Sequence, residues 1–164
     1  MQIRRATFAD IPALVALNQG VQELHADAFP AKFRRNPPIE VVECAFNSML
    51  QNPSSYWLVA EEGQPVAFLS AEFRDRGESW CLLAHRVCYL AAIAVASPFR
   101  RQGVARSLLA ELQREALARG VVEIELDVWA FNEHAHQAFV RLGFRGVMNR
   151  MALAVSDSER AREQ

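Results

Sequence analysis

The chain has 164 residues, of which 51% are hydrophobic and 23% charged, with a formal net charge of -1. That is one domain of ordinary size with enough apolar material for a packed core, which excludes a disordered chain. A near-neutral total gives no general attraction to nucleic acid or to an anionic membrane, and no stretch reaches the roughly 18 apolar residues of a membrane span.

In chain order, Gln2 to Ala6 alternates weakly and reads as a short first strand. Thr7 and Asp10 are both candidate helix caps ahead of Pro12, and Ile11, Leu14, Val15, Leu17 and Val21 recur at helical spacing. The segment from His25 to Pro38 holds three prolines and the basic residues Lys32, Arg34 and Arg35, and reads as a solvated loop or broken helix. Val41 to Leu50 carries a second helical stripe, which Asn52-Pro53 stops.

Tyr56 to Ala60 and Val66 to Phe73 flank the turn Glu62-Gly63-Gln64-Pro65 and read as a hairpin. Cys81 to Val95 is long and mostly apolar, the pattern of a buried strand. Val104 to Arg119 is a strong helix closed by Gly120. Val121 to Val128 alternates, with Glu123, Glu125 and Asp127 on its polar side. Asn132 to Leu142 is a shorter helix closed by Gly143, and Phe144 to Val155 reads as a last strand. The order of elements is that of a mixed α/β domain, one sheet with helices packed on it.

Cys44, Cys81 and Cys88 are odd in number, lack metal-ligand spacing and follow no secretory leader. All three read as core filler in a reducing cytoplasm.

The chemistry concentrates between the long strand and the strong helix, at Ser97-Pro98-Phe99-Arg100-Arg101-Gln102-Gly103-Val104-Ala105. A strand running through a short loop into a helix N-terminus leaves backbone N–H groups without intrahelical partners, and the helix dipole favours an anion there. Gly103 and Ala105 keep side-chain bulk low, while Arg100 and Arg101 add positive charge. This is a phosphate cradle. It lacks the Gly-Lys-Ser/Thr of a nucleotide P-loop and the three glycines of a dinucleotide fingerprint.

Arg100-x-x-Gly103-x-Ala105 resembles the pyrophosphate-binding signature of the GCN5-related N-acetyltransferases (GNAT). Leu126-Asp127-Val128-x-x-x-Asn132-x-x-Ala135-x-x-Ala138-Phe139-x-x-x-Gly143-Phe144 resembles that family's second signature, in order and in register. The resemblance implies a single GNAT-like domain over residues 1–155 with a charged tail over residues 156–164. Its sheet would be mostly antiparallel, with a splay between two parallel strands that receives acetyl-CoA. The backbone of Ile93, Ala94 and Val95 would pair with pantetheine. The segment Arg100, Arg101, Gln102, Gly103, Val104 and Ala105 would hold the pyrophosphate, with Ser107 near it. Asn132 would bond the pantetheine arm or cap its helix, and Phe139 would pack beside it.

The implied activity is transfer of acetyl from acetyl-CoA to an amine of a small molecule or protein by direct attack, with no metal. An N–H of Ile93 would stabilise the oxyanion. Glu72 is the first candidate base, and Glu23 and His25 border the acceptor site. The chain departs from the family at Phe139, where the usual tyrosine would protonate the leaving sulfur, and at Ala91-Ala92, where many relatives carry a carboxylate. Those departures also fit a non-catalytic acyl-CoA-binding module, and a nucleotide-binding domain could use the same cradle. Family analogy leaves room for a homodimer. Trp129 and Phe131 either pack the helix entry or line an acceptor tunnel, with packing the preferred reading.

Overall fold

In the computed structural model, residues 1–153 are described, and the expected charged tail lies outside them. The chain divides into two compact units, Met1–Phe131 and Asn132–Gln164.

The first unit carries five strands: β1 (Gln2–Arg5), β2 (Ser55–Glu62), β3 (Gln64–Arg76), β4 (His85–Val95) and β5 (Ile124–Glu125). They lie side by side in chain order. The first four are antiparallel, and β4 pairs with β5 in parallel. Three helices pack on this sheet: α1 (Ile11–Ala28), α2 (Ile39–Gln51) and α3 (Val104–Ala118). The expected α/β fold with a mostly antiparallel sheet and a splay is the one observed.

Alternation along the strands sorts the core into two faces. Trp57, Val59, Phe68 and Ala94 cluster with Ile11, Leu14 and Val15 of α1 and Phe46 of α2. Trp57 stacks on Phe68 at 5.9 Å between ring centroids. Leu58 and Leu69 are offset by one residue and so point the other way. They are fully buried, as are Leu108 and Leu112 of α3, which packs against β2, β3 and β4. No described helix is long and apolar enough to cross a membrane.

Both candidate caps stand at helix starts, and the Asp10 side chain makes no cap hydrogen bond to α1. Thr7 stands before a short 3-10 turn (Phe8–Asp10), and Asp10 stands at the start of α1. The Asp10 carboxylate, only 6% exposed, accepts two hydrogen bonds from the Arg4 guanidinium at 2.8 Å and one from the Thr7 amide at 2.7 Å. Arg4 also donates to Glu61 of β2 at 2.8 Å. One guanidinium thus joins the first strand, the entry to α1 and the second strand.

Three expectations need correction. The strand expected over Val121 to Val128 is regular only at Ile124–Glu125, because the ladder with β4 ends there and an extended segment without a partner is not a strand. Among the described residues, none from Phe144 to Leu153 forms a strand; apolar alternation cannot by itself supply a ladder partner. Of the three cysteines only Cys88 is core, and burial pushes its thiol up to about 11; Cys44 and Cys81 are exposed.

The second unit contains α4 (Glu133–Arg141), whose N-cap is Asn132: its side-chain oxygen accepts the Ala135 N–H at 3.0 Å. Gly143 follows with φ 102°, the left-handed conformation that ends a helix.

The Asp10 cluster sets a pH dependence. Hydrogen bonds from Arg4 hold the Asp10 carboxyl at about 2 against an ordinary 3.8. A depressed acid stabilises the fold above its unfolded value and loses that stabilisation as pH falls through the folded one. At about 1.4 kcal/mol per unit, the contribution is about 2 kcal/mol at neutral pH. Urea titration of Asp10→Asn should show a loss of that size at pH 7, shrinking as pH falls from about 4 toward 2.

Candidate active site

The site begins where two strands stop pairing. β4 and β5 are matched at Cys88–Ile124 and Tyr89–Glu125, and at no later position. On its other edge β4 stays paired with β3 as far as Val95. That ladder is out of step at one place: Ser70 faces Ala92 while Ala71 faces Leu90, so Ala91 is an extra residue. It is a β-bulge, which bends its strand and re-aims the residues beyond it.

The re-aiming can be read from the amides. Cys88 donates its N–H toward β5, to Glu123 O at 3.2 Å. Below the bulge, even-numbered residues therefore face β5. Above it, Ala96 donates to Val66 O at 2.9 Å, on the β3 side. By alternation Ala94 also faces β3, and Ile93 and Val95 turn their N–H and C=O groups toward the side that β5 has left. Val95 O accepts from Arg100 Nε at 3.0 Å.

The strand then passes through a 3-10 turn (Ser97–Phe99) into the α3 N-terminus. Gln102 Nε2 pins the loop through Pro98 O at 2.7 Å. Arg101 at φ 61° and Gly103 at φ 82° are both left-handed, a conformation that curls successive N–H groups toward one side. Ser107 N–H closes the first helical turn on Gly103 O at 3.0 Å, so the amides of Val104 and Ala105 precede the intrahelical ladder. A Cβ at Gly103 would meet no protein atom within 4 Å. Glycine is required there by its φ, and the space beyond it is open. Arg100, Arg101, Gln102 and Ser107 are exposed, Ala105 is half-buried, and Val104 is buried under the helix start.

The opposite end of β4 is built differently. His85 bonds Leu83 O through Nδ1 at 2.8 Å. A shallow depression of about 420 Å³ lies there, lined by residues that include Asp75, His85, Arg86 and Arg119. Eight residues of extended strand, about 26 Å, separate His85 from Ile93, so His85 and this depression are remote from the cradle.

Glu72 sits opposite Tyr89, the last residue of β4 paired to β5. Its carboxylate is held by Arg74, with Nε at 2.9 Å, and the same guanidinium lies 4.0 Å from the Tyr89 ring centroid. Two residues escaped sequence reasoning. Tyr89 donates its hydroxyl to Asp127 Oδ2 at 3.1 Å, across the base of the splay. The signal for Asp127 was present in the polar side of its segment, but nothing in the spacing separated it from Glu125, which is tied to Arg76 at 2.9 Å. The bulge at Ala91 was the other feature without a signature.

Glu23 accepts from Gln19 one helical turn earlier at 2.8 Å. His25 donates Nδ1–H to Val21 O at 2.7 Å, which leaves the lone pair of the neutral ring on Nε2. Its ring joins a cluster with Phe33 at 5.0 Å, Phe131 at 5.6 Å and Trp129 at 6.5 Å. Phe29 completes the group at 5.3 Å from Trp129 and 5.5 Å from Phe131. Trp129 and Phe131 thus pack on rings of α1 and the loop after it, and not on the entry of the following helix as expected; Trp129 keeps 39% of its surface exposed. In the second unit, Phe139 packs edge-on against Phe144 at 5.6 Å, and Asn132 serves as the N-cap described above.

The acetyltransferase (GNAT) family matches residues 18–144. No curated protein matches the chain. Among solved structures, a tetramutant of the BH1408 protein of Bacillus halodurans superposes with a TM-score of 0.89 at 26% identity, over 94% of this chain and 100% of that one. The aminoglycoside N-acetyltransferase AAC(6')-Iy in complex with CoA gives 0.70 at 20% identity, over 94% and 99%. A predicted acetyltransferase from Clostridium acetobutylicum with acetyl-CoA gives 0.68 at 22%, over 93% and 95%. With the family model matched over most of the chain, and with its strand order and the parting of β4 and β5, the chain belongs to the acetyltransferase (GNAT) family.

Proposed function

We propose that the chain transfers acetyl from acetyl-CoA to a primary amine by direct attack. The observation that carries this reading is the alignment of two features on one strand. β4 presents the backbone of Ile93 and Val95 on the side that β5 has left, and the α3 start at Val104 follows nine residues beyond Val95. An acyl-pantetheine laid along Ile93 to Val95 would pair as an added strand. Its pyrophosphate would meet the amides of Val104 and Ala105, with Arg100 and Arg101 beside it. Asn132 caps α4 through its side-chain oxygen.

The chemistry needs a proton removed from the acceptor. An alkylammonium, with a pKa near about 10.4, is not nucleophilic at neutral pH. The freed amine attacks the thioester carbonyl, and the Ile93 N–H stabilises the oxyanion. The C–S bond breaks, and the thiolate takes its proton from water, since Phe139 has none to give. Asp127 is the better candidate base than Glu72. It lies two residues beyond the last β4–β5 pair and accepts a neutral hydroxyl from Tyr89, whereas Arg74 occupies Glu72. Glu23 and His25 lie on α1, and His25 reaches the Trp129 loop as an acceptor-contact residue. A homodimer and a cytoplasmic site of action belong to the same reading.

The direct test is release of CoA thiol from acetyl-CoA across a panel of primary amines. Acceptor-dependent release is expected; tight acetyl-CoA binding with no release for any amine would instead mark a non-catalytic binding module. Gly103→Glu puts a carboxylate against the pyrophosphate. It should raise the acetyl-CoA KM about tenfold or more, the scale of a lost charge-assisted hydrogen bond, with circular dichroism unchanged. For the base, Asp127→Asn should lower kcat about a hundredfold and flatten the acidic limb of the pH–rate profile. Glu72→Gln should leave that limb in place; the reverse pattern would assign the base to Glu72.

A further inference from the structure

Seventeen of the eighteen Lys and Arg residues are arginine; Lys32 is the one lysine in the sequence. It lies in the connection between α1 and α2, and its position is fixed by a built turn. Lys32 N–H and Phe33 N–H both donate to Phe29 O, at 2.9 and 3.0 Å. Gln22 Nε2 ties the connection back to α1 through Arg34 O at 2.7 Å, and Arg35 pairs with Asp27. Lys32 itself is exposed, and among the described residues no carboxylate forms an ion pair with it. Its ammonium instead rests on aromatic faces, 5.2 Å from the Phe29 centroid and 5.6 Å from that of Trp129.

Trp129 places this amine relative to the splay. The last β4–β5 pair is Tyr89–Glu125. Trp129 lies four residues beyond Glu125, on the segment that leaves the ladder, as Ile93 lies four beyond Tyr89 on β4. Their side of the sheet is also consistent. Glu72, Tyr89, Glu125 and, by alternation, Asp127 and Trp129 share the face that carries α1 and α2, and the Tyr89–Asp127 bond and the His25–Trp129 contact both lie there. The only side-chain amine of the chain is thereby held by a hydrogen-bonded loop on a ring of the segment that leaves β4 at the splay.

We propose that Lys32 is a self-acetylation site, modified by acetyl-CoA bound to the same chain; this rests on the acetyltransferase reading above. The Lys32 ammonium gives up one proton, and its Nζ lone pair forms a bond to the thioester carbonyl carbon. The C–S bond breaks, and sulfur leaves as a thiolate that is protonated from water. The products are a neutral Nε-acetyl amide and CoA thiol, with no oxidant or metal consumed. The modification removes the cation from the faces of Phe29 and Trp129 and changes the charge of the loop bordering the acceptor side. The arginines that fill the other basic positions keep their charge and offer no amine of this kind.

The test incubates the full chain with acetyl-CoA alone and follows intact mass and peptide mass. The expected result is one acetyl group per chain on the peptide containing Lys32, formed at a rate independent of chain concentration. Lys32→Arg should abolish the increment. Excess free CoA should suppress it severalfold, as should Gly103→Glu, and the free-CoA arm needs no variant to fold. Labelling that rises with chain concentration, falls instead on the chain's α-amine, resists free CoA or proceeds equally in urea is contrary to the proposal. So is an unmodified Lys32 in protein that binds acetyl-CoA and releases thiol with an added amine, a result that leaves the acetyltransferase reading intact. Absence of both labelling and acetyl-CoA binding removes the two together.

Discussion

Two residue pairs, Cys88–Ile124 and Tyr89–Glu125, are the only ladder positions between β4 and β5, and the site is organised by where that ladder stops. Parallel strands that part must leave one edge of backbone polar groups without a strand partner. Such an edge is a liability unless something of complementary shape pairs with it. The bulge at Ala91 decides which groups are left. Without the extra residue, Leu90, Ala92 and Ala94 would carry the pattern of Cys88 forward, and Ile93 and Val95 would be spent on β3. With it, β3 keeps a continuous partner as far as Val95, and Ile93 and Val95 face the other way. A shift of one residue thus decides which backbone groups of β4 face the open side.

The two ends of β4 show how the same residue types serve different ends. Near His85, cations are engaged in structure. Arg86 pairs with Asp75 at 2.5 Å, Arg76 with Glu125, and Arg119 lies 4.2 Å from the Phe73 centroid. Near Val95, Arg100 reaches a backbone carbonyl, and the helix start beside it has a left-handed glycine ahead of its first-turn amides. Positive charge combined with N–H groups pointing outward is the arrangement an anionic group requires. Positive charge paired to carboxylates across strands stabilises the sheet edge instead.

Much of this was legible in the sequence. The helix from Val104 announces itself by its apolar stripe, and Gly103 stands at its N-cap with the positive φ that few other residues tolerate. The hairpin around Gly63 and the capping role of Asn132 follow from local chemistry that needs no distant partner. The features that stayed hidden are those created by pairing. Ala91-Ala92 carries no sign that one of the two is extra. The alternation of Val121 to Val128 is real, yet strand geometry lasts only as long as β4 is there to pair with it. Glu72 looked available because its partner, Arg74, is recognisable only once both are seen on one face of β3. The ring cluster joins Phe29 and Phe33 to Trp129 and Phe131 across roughly a hundred residues of chain, a contact that periodicity cannot report.

The central claim is that the splay and the helix-start cradle together recognise acetyl-CoA. Calorimetric titration of the protein with acetyl-CoA, with ATP run in parallel, tests it most directly. The account predicts saturable one-to-one binding of acetyl-CoA and no comparable heat from ATP, because ATP has phosphates for the cradle but no pantetheine to pair with Ile93 and Val95. Binding of ATP in preference to acetyl-CoA, or of neither, would contradict it.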